Sequence, residues 1–379
     1  MLRTKILRQA RSTNRTLNLR LGSSLAGSSK EQLERSILLR GYPSYIQPTK
    51  TKEQLQEEHE EKEALRLLDE SIRKAEYLST KFSTDFNRLK YQLPKSFGTN
   101  QYININDTNA TELGSILQKF KAPIRYAFAY GSGVFSQGYT SKDTQTDMIF
   151  AVTYPDHWHS LNMKYNKDHY SSMRYFGCNA VAGLQEVGAG VYFNPYVEID
   201  GQLVKYGVVS IQRLIDDLAS WNSFYLAGRL QKPVKILRDD STIRFWNQQN
   251  LRAAATLAFM NLPKDQSFDE FQFYRNITEL SYKGDVRYLL GAENPKKIDN
   301  IVEKNFEYFQ QYYSPIIDEV IKQKHFVLPP GFTEENANDK LKDIIFKTSA
   351  LQTAKGLFTA GIAKSLKYAY AKKMKARGN

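Results

Sequence analysis

Two short motifs in the sequence could do chemistry on phosphate groups. The first is YGSGVF at residues 130–135, which follows an apolar run at residues 125–129. Small residues allow a tight turn that points backbone N–H groups and the Ser132 hydroxyl at a bound anion, and phosphate is a frequent ligand of such turns. The second is Asp147, which precedes the apolar run at residues 148–152. Its carboxylate is a candidate ligand for Mg²⁺, which prefers carboxylate, phosphate and water oxygens.

The two apolar runs predict β-strands, so that the turn follows one strand and Asp147 begins the next. This order resembles the start of the active site in nucleotidyltransferases of the DNA polymerase beta type. A less specific interpretation is a glycine turn between two strands with an aspartate at the surface. The polymerase-beta pattern has two carboxylates two residues apart, whereas no carboxylate lies two residues from Asp147 here. A second metal ligand must then come from Asp143, Glu198, Asp200 or elsewhere, or one metal alone is well held.

The rest of the chain predicts an α+β head followed by a mostly helical region. The Asp-Gly dipeptide at residues 200–201 suits a tight turn between the two strands of a hairpin. Ser210 is expected to cap a helix that runs from Ile211 to about Phe224. Apolar residues at helical spacing predict further helices. These lie at residues 53–89, 112–120, 252–260, 268–280 and 297–322.

The net charge of +13 is concentrated at the two ends of the chain. Residues 1–30 carry seven basic residues and residues 344–379 carry eight, and neither segment has an acidic residue. The ends therefore contribute +15, which leaves the body between them at −2. A near-neutral body argues against a broad nucleic-acid surface, so no nucleic-acid partner is expected.

Each basic end has its own explanation. Residues 1–30 are rich in Arg, Ser and Thr, which is typical of a mitochondrial transit peptide, although a disordered basic arm would look similar. In the C-terminal segment Phe358, Ile362 and Leu366 recur at helical spacing beside several lysines. Such a helix can lie in the interface of an anionic membrane, or it can pack on the body with its lysines in water. No apolar run of about eighteen residues is present, so no membrane-spanning helix is expected.

Three histidines, His157, His159 and His169, have a spacing that could suggest a zinc site. Zinc requires three or four ligands in a defined geometry, and no cysteine or glutamate is obviously placed to complete the set. We expect this region to form a helix or loop over a nucleotide pocket instead. The single cysteine, Cys178, excludes an intrachain disulfide.

Several distinctive blocks of sequence occur along the chain. They are YGSGVF at 130–135, Asp147 with its strand, HWHS at 157–160, GAGVYFN at 188–194, KYGV at 205–208, LAGRLQKPVK at 226–235, SYKGD at 281–285 and KGLFTAG at 355–361. In this order they resemble the mitochondrial phosphatidate cytidylyltransferases, which are the matrix CDP-diacylglycerol synthases of the translocator assembly and maintenance protein family. The resemblance covers roughly residues 85–370, and fungal members are expected to be the most similar.

The resemblance implies a polymerase-beta-like nucleotidyltransferase head, a mostly helical winged-helix-like domain and a basic amphipathic C-terminal segment. On this basis the chain divides into five parts. They are a transit peptide at 1–30, a linker and N-terminal helix at 31–95, the nucleotidyltransferase domain at 96–225, the winged-helix-like domain at 226–343 and a membrane-contacting segment at 344–379.

The implied activity transfers CMP from CTP to phosphatidate and yields CDP-diacylglycerol and pyrophosphate. The resemblance also implies Mg²⁺ as the cofactor and a place upstream of cardiolipin and phosphatidylglycerol. The implied location is peripheral, on the matrix side of the inner mitochondrial membrane, with its anionic surface as a partner. The transit-like N-terminus and the basic C-terminus agree with this location independently.

The residue types suit this reaction. The phosphate monoester of phosphatidate has a second pKa of about 6, so it is largely dianionic at neutral pH and needs no strong general base. Catalysis then depends on positioning and on cations that bridge the phosphates. Asp147 would hold Mg²⁺, while Ser132 and the amides of Gly131–Gly133 would hold the distal phosphates. The candidate cations for pyrophosphate or phosphatidate are Lys205, Arg229, Lys232 and Lys235, each of which could equally be structural.

Two other functions are alternatives. A nucleotidyltransferase that acts on RNA would share the Gly-Ser and aspartate motifs, and the basic ends could bind a nucleic-acid backbone, but the near-neutral body opposes this. The second alternative is a non-enzymatic scaffold that maintains inner-membrane translocases.

Overall fold

A computed structural model describes residues 93–360 together with Gln56 and His59. Within that range it leaves out residues 95, 106, 136–144, 264–266, 290 and 292–293. All the elements below lie in the structural unit of residues 74–379. The predicted transit peptide, most of the predicted linker and N-terminal helix, and residues 361–379 of the C-terminal segment lie outside the described residues.

Five strands of the described residues form one mixed sheet. They are β1 (Tyr126–Tyr130), β2 (Thr146–Val152), β3 (Val191–Ile199), β4 (Gln202–Ser210) and β5 (Lys235–Arg238). The spatial order is β3-β4-β2-β1-β5, with β2 and β4 parallel and the other neighbouring pairs antiparallel. In this register Tyr130 lies opposite Asp147, and Asp147 lies opposite Lys205. The sheet therefore brings the end of β1, Asp147 and Lys205 side by side.

Helices and the loops that join them make up the rest of the described chain. The α-helices are α1 (Asp107–Gln118), α2 (Pro155–Tyr165), α3 (Cys178–Glu186), α4 (Ile211–Ser220), α5 (Ala227–Leu230), α6 (Ser241–Met260), α7 (Glu270–Leu280), α8 (Val286–Leu289), α9 (Lys297–Lys304), α10 (Phe306–Ile317) and α11 (Ala337–Ala360). Short 3-10 helices lie at Thr99–Gln101, Lys167–His169 and Ser172–Phe176, and a π-helical turn lies at Asp318–Lys322. The fold is mixed α+β, as the sequence predicts. Among the described helices, none combines the length and apolar character that a membrane span requires.

The sheet separates two apolar cores because its central strands are buried on both faces. Every residue of β1 is buried, and in β2 the exception is Asp147. Successive side chains point to opposite faces, so Met148 and Phe150 pack with Trp158 of α2 while Ile149 packs among the larger set of helices. Strands buried on both faces appear in the sequence as continuous apolar runs, which explains why these two could be predicted.

The predicted hairpin and helix cap are confirmed. Asp200 and Gly201 both have positive φ, at 50° and 77°, as a type I′ turn requires. The Ser210 hydroxyl accepts a hydrogen bond from the backbone N–H of Arg213 at 3.2 Å and so caps α4. The Asp-Gly turn and the serine cap therefore determine where β3 turns into β4 and where α4 begins.

Two predicted helices differ from those in the structure, and one strand was not predicted. The helix predicted from Ile211 to Phe224 ends at Ser220, because Trp221 takes the left-handed conformation with φ of 54°. The helix predicted at 297–322 is interrupted at Asn305. Strand β5 was missed, although it lies within the segment assigned to the helical domain and pairs with β1 of the head. Four residues carry too short a pattern to reveal an edge strand.

Candidate active site

An open cleft lies against the end of β1 and has a volume of about 880 Å³, including solvent at its mouth. Among the described residues, the cations of the wall outnumber the carboxylates by five to two, which favours an anionic ligand. The cations are Lys205, Arg229, Lys232, Arg287 and Lys297, the carboxylates are Asp147 and Asp285, and the other lining residues are Tyr130, Ser223, Phe224, Tyr225, Ser281, Tyr282, Ile345, Thr348 and Ser349.

The Gly-Ser turn follows β1 directly and lies beside Asp147. The carbonyl of Gly131 accepts hydrogen bonds from the N–H groups of Val134 and Phe135, at 3.1 and 2.9 Å. Gly131 has φ of +80°, and a Cβ added there would stand 3.5 Å from Oδ2 of Asp147. Ser132 is exposed. The structure therefore brings the turn and the predicted carboxylate together, while residues 131–133 are not among the residues that line the cleft.

Asp147 and Lys205 form an ion pair in the wall of the cleft. The Lys205 ammonium donates to Oδ1 of Asp147 at 2.9 Å, and both side chains are about one-quarter exposed, at 25% and 27%. The ammonium also lies 4.8 Å from the centre of the Phe193 ring. The parallel register of β2 and β4 places the two residues side by side, which their separation in sequence could not indicate.

The donor set around Asp147 suits a weakly held divalent ion. No cluster of three His, Cys, Asp or Glu side chains that could hold a metal occurs among the described residues. Mg²⁺ does not need one, since it is commonly held by one or two carboxylates, substrate phosphates and water. Of the suggested second ligands, Asp200 pairs with Lys119 at 2.8 Å in the hairpin turn, and Glu198 is exposed opposite Leu203. The third, at position 143, lies outside the described residues.

Arg229 lies between two tyrosine rings in the wall of the cleft. Its guanidinium is 4.1 Å from the centre of the Tyr130 ring and 5.5 Å from that of Tyr225. Its Nε is buried and has no hydrogen-bond partner among the described residues. The two rings fix the plane of the guanidinium, so it can present its charge to a ligand without losing further conformational freedom.

Lys232 lies in a more cationic part of the same wall. Its ammonium donates to the Gly228 carbonyl and, at 2.7 Å, to the Ser281 hydroxyl. Burial, and then the charges of Arg229 and Lys297, hold the pKa of Lys232 well below its usual range. A phosphate bound here would reverse this effect, because an anion favours the charged ammonium.

The fourth predicted cation, Lys235, does not belong to this cluster. It lies on β5, outside the wall of the cleft, and its ammonium donates to the Ile103 carbonyl at 2.8 Å. Two cations of the wall were missed in the sequence. The ammonium of Lys297 lies 5.4 Å from the centre of the Tyr282 ring, and Arg287 pairs with Asp285 at 2.7 Å. The SYKGD block at 281–285 was a signal for this region, although no role was assigned to it.

The three histidines do not converge on a metal or on the cleft. The ring of His159 is buried and bonds to the Tyr170 hydroxyl at 2.8 Å and to Gln185 Oε1 at 2.9 Å. His169 bonds to the Tyr206 hydroxyl at 2.9 Å, and His157 is exposed. Burial lowers the pKa of His159 and of His169 to about 4. None of the three histidines lines the cleft, and the expectation that this region covers a nucleotide pocket stays a prediction.

An α+β fold with a cleft lined by five cations beside a glycine turn is suited to binding phosphorylated ligands. A family model described as "Phosphatidate cytidylyltransferase, mitochondrial" matches residues 113–329 and 330–375. The match covers more than half of the chain. The chain therefore belongs to the mitochondrial phosphatidate cytidylyltransferase family.

Individual relatives agree with this assignment. A protein of Saccharomyces cerevisiae named mitochondrial phosphatidate cytidylyltransferase is 54% identical over 317 residues, which cover 82% of each chain. A protein of the same name from Schizosaccharomyces pombe is 42% identical over 58% of this chain and 56% of its own. The corresponding protein of Bos taurus is 37% identical over 67% of this chain and 90% of its own. Of these three, the two fungal relatives share the higher identity.

Proposed function

We propose that the protein transfers the cytidylyl group of CTP to phosphatidate, giving CDP-diacylglycerol and pyrophosphate. Its relatives carry phosphatidate cytidylyltransferase in their names. The observation that carries the proposal is the cation-lined cleft in which Asp147 stands beside a glycine turn, since both substrates are phosphate anions.

The chemistry requires little from a general base. A phosphate oxygen of phosphatidate attacks the α-phosphorus of CTP, and the bond from that phosphorus to the bridging oxygen of pyrophosphate breaks. The attacking group is already largely dianionic at neutral pH, since its second pKa is about 6. The obstacle is the repulsion between two anions, and the fixed cations of the cleft reduce it.

Arg229 interacts electrostatically with both Asp147 and Lys232, and we assign these two neighbours to different phosphates. Near Asp147, the turn at 131–133 and Lys205 would bind the triphosphate of CTP. Lys232, with Ser281 and Lys297, would bind the phosphate of phosphatidate. Lys235 is left out of this assignment.

The residues present fit Mg²⁺ at Asp147, as the donor set above indicates. When bound, the ion would neutralise charge on the phosphates and orient them. Lys205 already holds one oxygen of this carboxylate, so its ammonium competes for the same charge until substrate phosphates arrive. Ser132 would contribute a neutral hydrogen bond to a phosphate oxygen.

The finer architecture and location belong to the same proposal. We assign the sheet with α1 and α2 to a polymerase-beta-like nucleotidyltransferase head and the later helices to a winged-helix-like part. The enzyme would act peripherally on the matrix side of the inner mitochondrial membrane and supply cardiolipin synthesis. Residues 344–360 belong to α11, and there buried Lys355 donates to the carbonyls of Gln185 and Val187 at 3.1 and 2.6 Å. We therefore restrict the membrane contact to residues after 360.

The deciding experiment uses the purified full chain with radiolabelled CTP. Reactions contain phosphatidate, tRNA or no acceptor, each with Mg²⁺ or with a chelator. We expect label in CDP-diacylglycerol only with phosphatidate and Mg²⁺. Label in tRNA would support the RNA alternative, and no transfer to either acceptor would support the scaffold alternative.

A further inference from the structure

Asp217 lies near the end of α4, is buried, and takes no direct part in the chemistry proposed above. Its carboxylate accepts five hydrogen bonds from described residues. At Oδ1 the donors are the N–H and hydroxyl of Ser223, at 2.8 and 2.9 Å, and the N–H of Phe224, at 2.7 Å. At Oδ2 they are the N–H groups of Leu226 and Ala227, both at 2.9 Å. One side chain thus organises the backbone of the whole connection from α4 to α5.

The backbone of this connection is strained. Trp221 and Phe224 have φ of 54° and 53°, a region that side-chain-bearing residues rarely adopt. Such a conformation persists only where neighbouring groups stabilise it. The Asp217 carboxylate bonds to the backbone N–H of Phe224. At Trp221, the indole N–H donates to Oδ1 of Asn250 at 2.8 Å.

The connection carries one wall of the cleft. Ser223, Phe224 and Tyr225 line it, and Arg229 follows on α5. The Tyr225 ring is one of the two rings that hold the Arg229 guanidinium. The Phe224 ring packs closely against α5, because a Cβ added to Gly228 would stand 2.8 Å from this ring. A shift of this connection would therefore move both the ring and the guanidinium.

We propose that Asp217 is a positioning residue for cytidylyl transfer. It fixes residues 223–227 and thereby sets Tyr225 and Arg229 against the substrate phosphates. The proposal rests on the function proposed above, and Asp217 itself touches no substrate. An error of about 1 Å in the place of such a group can cost about 100-fold in rate.

The test is Asp217→Asn, which keeps the size of the side chain but turns an NH₂ group toward backbone N–H donors. We expect kcat/KM to fall about 100-fold and the KM for CTP to rise. The affinity for CTP, measured by calorimetry without phosphatidate, should fall as well. The matched control is Asp216→Asn on the same helix, because Asp216 accepts a hydrogen bond from Gln212 at 2.8 Å and does not line the cleft. That variant should retain the wild-type KM.

A merely structural role predicts a different pattern. It would lower kcat in proportion to the folded fraction, seen by circular dichroism, and leave the KM and the CTP affinity unchanged; that result would overturn the proposal. In an Arg229→Met background, Asp217→Asn should add little, whereas full additivity would contradict action through Arg229.

A second variant and a measurement on the wild-type protein complete the test. If Asp217→Asn does not fold, Asp217→Glu keeps the charge but displaces the connection, and a wild-type CTP affinity in this variant would reject the proposal. Failure of the proposed function is separate, since a wild-type protein that forms no CDP-diacylglycerol rejects that function. Even then, the CTP affinities of the variants report on the position of Arg229.

Discussion

At the scale of single residues, the two oxygens of the Asp147 carboxylate have different neighbours. Oδ1 accepts from Lys205, and Oδ2 faces the Gly131 turn. The Asp147→Asn variant keeps the shape but removes the charge that pairs with Lys205 and would hold Mg²⁺. We expect turnover to fall at least about 100-fold while circular dichroism stays unchanged. Formation of CDP-diacylglycerol from labelled CTP is the measurement.

The control for this variant is Glu198→Gln. Glu198 is an exposed carboxylate on β3 and does not line the cleft, so its loss should leave turnover near that of the wild type. Near wild-type turnover in a folded Asp147→Asn protein would contradict the role assigned to this carboxylate.

The glycine turn gives a second prediction. Ser132→Ala removes one neutral hydrogen bond, so kcat/KM for CTP should fall by about fivefold. Gly131→Val should be far worse, because Gly131 has φ of +80° and a side chain there points at Asp147. Steady-state kinetics of the two folded variants decide the order. Our account of the turn is wrong if the valine variant is the milder one.

Several site residues could be predicted because their motifs are local. The YGSGVF block and Asp147 flank apolar runs, and a turn between two strands places them together. Lys232 and Lys235 show the limit of prediction from local motifs. They lie three residues apart in one block, yet of these two lysines only Lys232 lines the cleft. Periodicity does not say which side of a short edge strand faces a ligand, and Lys297 joins the site only through tertiary packing.

At the scale of elements, the buried His159 joins α2 to Tyr170 and to Gln185 of α3. This histidine has its pKa lowered to about 4 by burial, against 6.5 in the unfolded chain, so unfolding takes up a proton between these values. Stability is therefore complete above pH 6.5 and falls as the pH drops toward 4. We expect a loss of about 2 kcal/mol between pH 7 and pH 5 from this residue alone, measured by urea denaturation.

His159→Gln provides the comparison for that prediction. Glutamine keeps a polar group near Tyr170 and Gln185 but does not titrate. The variant should lose the part of the pH dependence that His159 causes, although His169 contributes a change of the same sign. An identical pH dependence in the two proteins would show that His159 stays accessible to protons in the folded state.

Elements were predictable where one local signal dominated. Buried strands, the Asp200-Gly201 turn and the Ser210 cap all have such signals. The end of α4 has no such local signal. The apolar pattern of this helix continues to Phe224, but the N–H groups of Phe224 and Leu226 donate to the Asp217 carboxylate instead of to helical carbonyls. A side chain that competes with helical hydrogen bonds is not visible in hydrophobic spacing.

At the scale of the whole molecule, α11 attaches residues 344–360 of the basic C-terminal segment to the rest of the fold. Ile345, Thr348 and Ser349 of this helix line the cleft, and Lys355 is buried. We expect truncation after Ala360, which removes six basic residues, to abolish flotation with liposomes that contain cardiolipin. Activity on short-chain phosphatidate should change much less than activity on vesicles.

The control is truncation after Asn338, which removes most of α11. This protein should lose activity on both substrates and melt at a lower temperature, because part of the cleft wall and of the core is missing. Liposome flotation of the Ala360 truncation at the full-length level would remove the membrane role from the tail.

The edge strand β5 has a consequence for how the chain folds during synthesis. Arg238 pairs with Ala127, so the nascent chain must reach residue 238 before the buried strand β1 has its second neighbour. Until then an entirely apolar strand presents an open edge, which invites intermolecular pairing. A fragment that stops at residue 225 is therefore expected to aggregate, and a chaperone that shields the edge would be needed from the time β1 is made until residue 238 has been added.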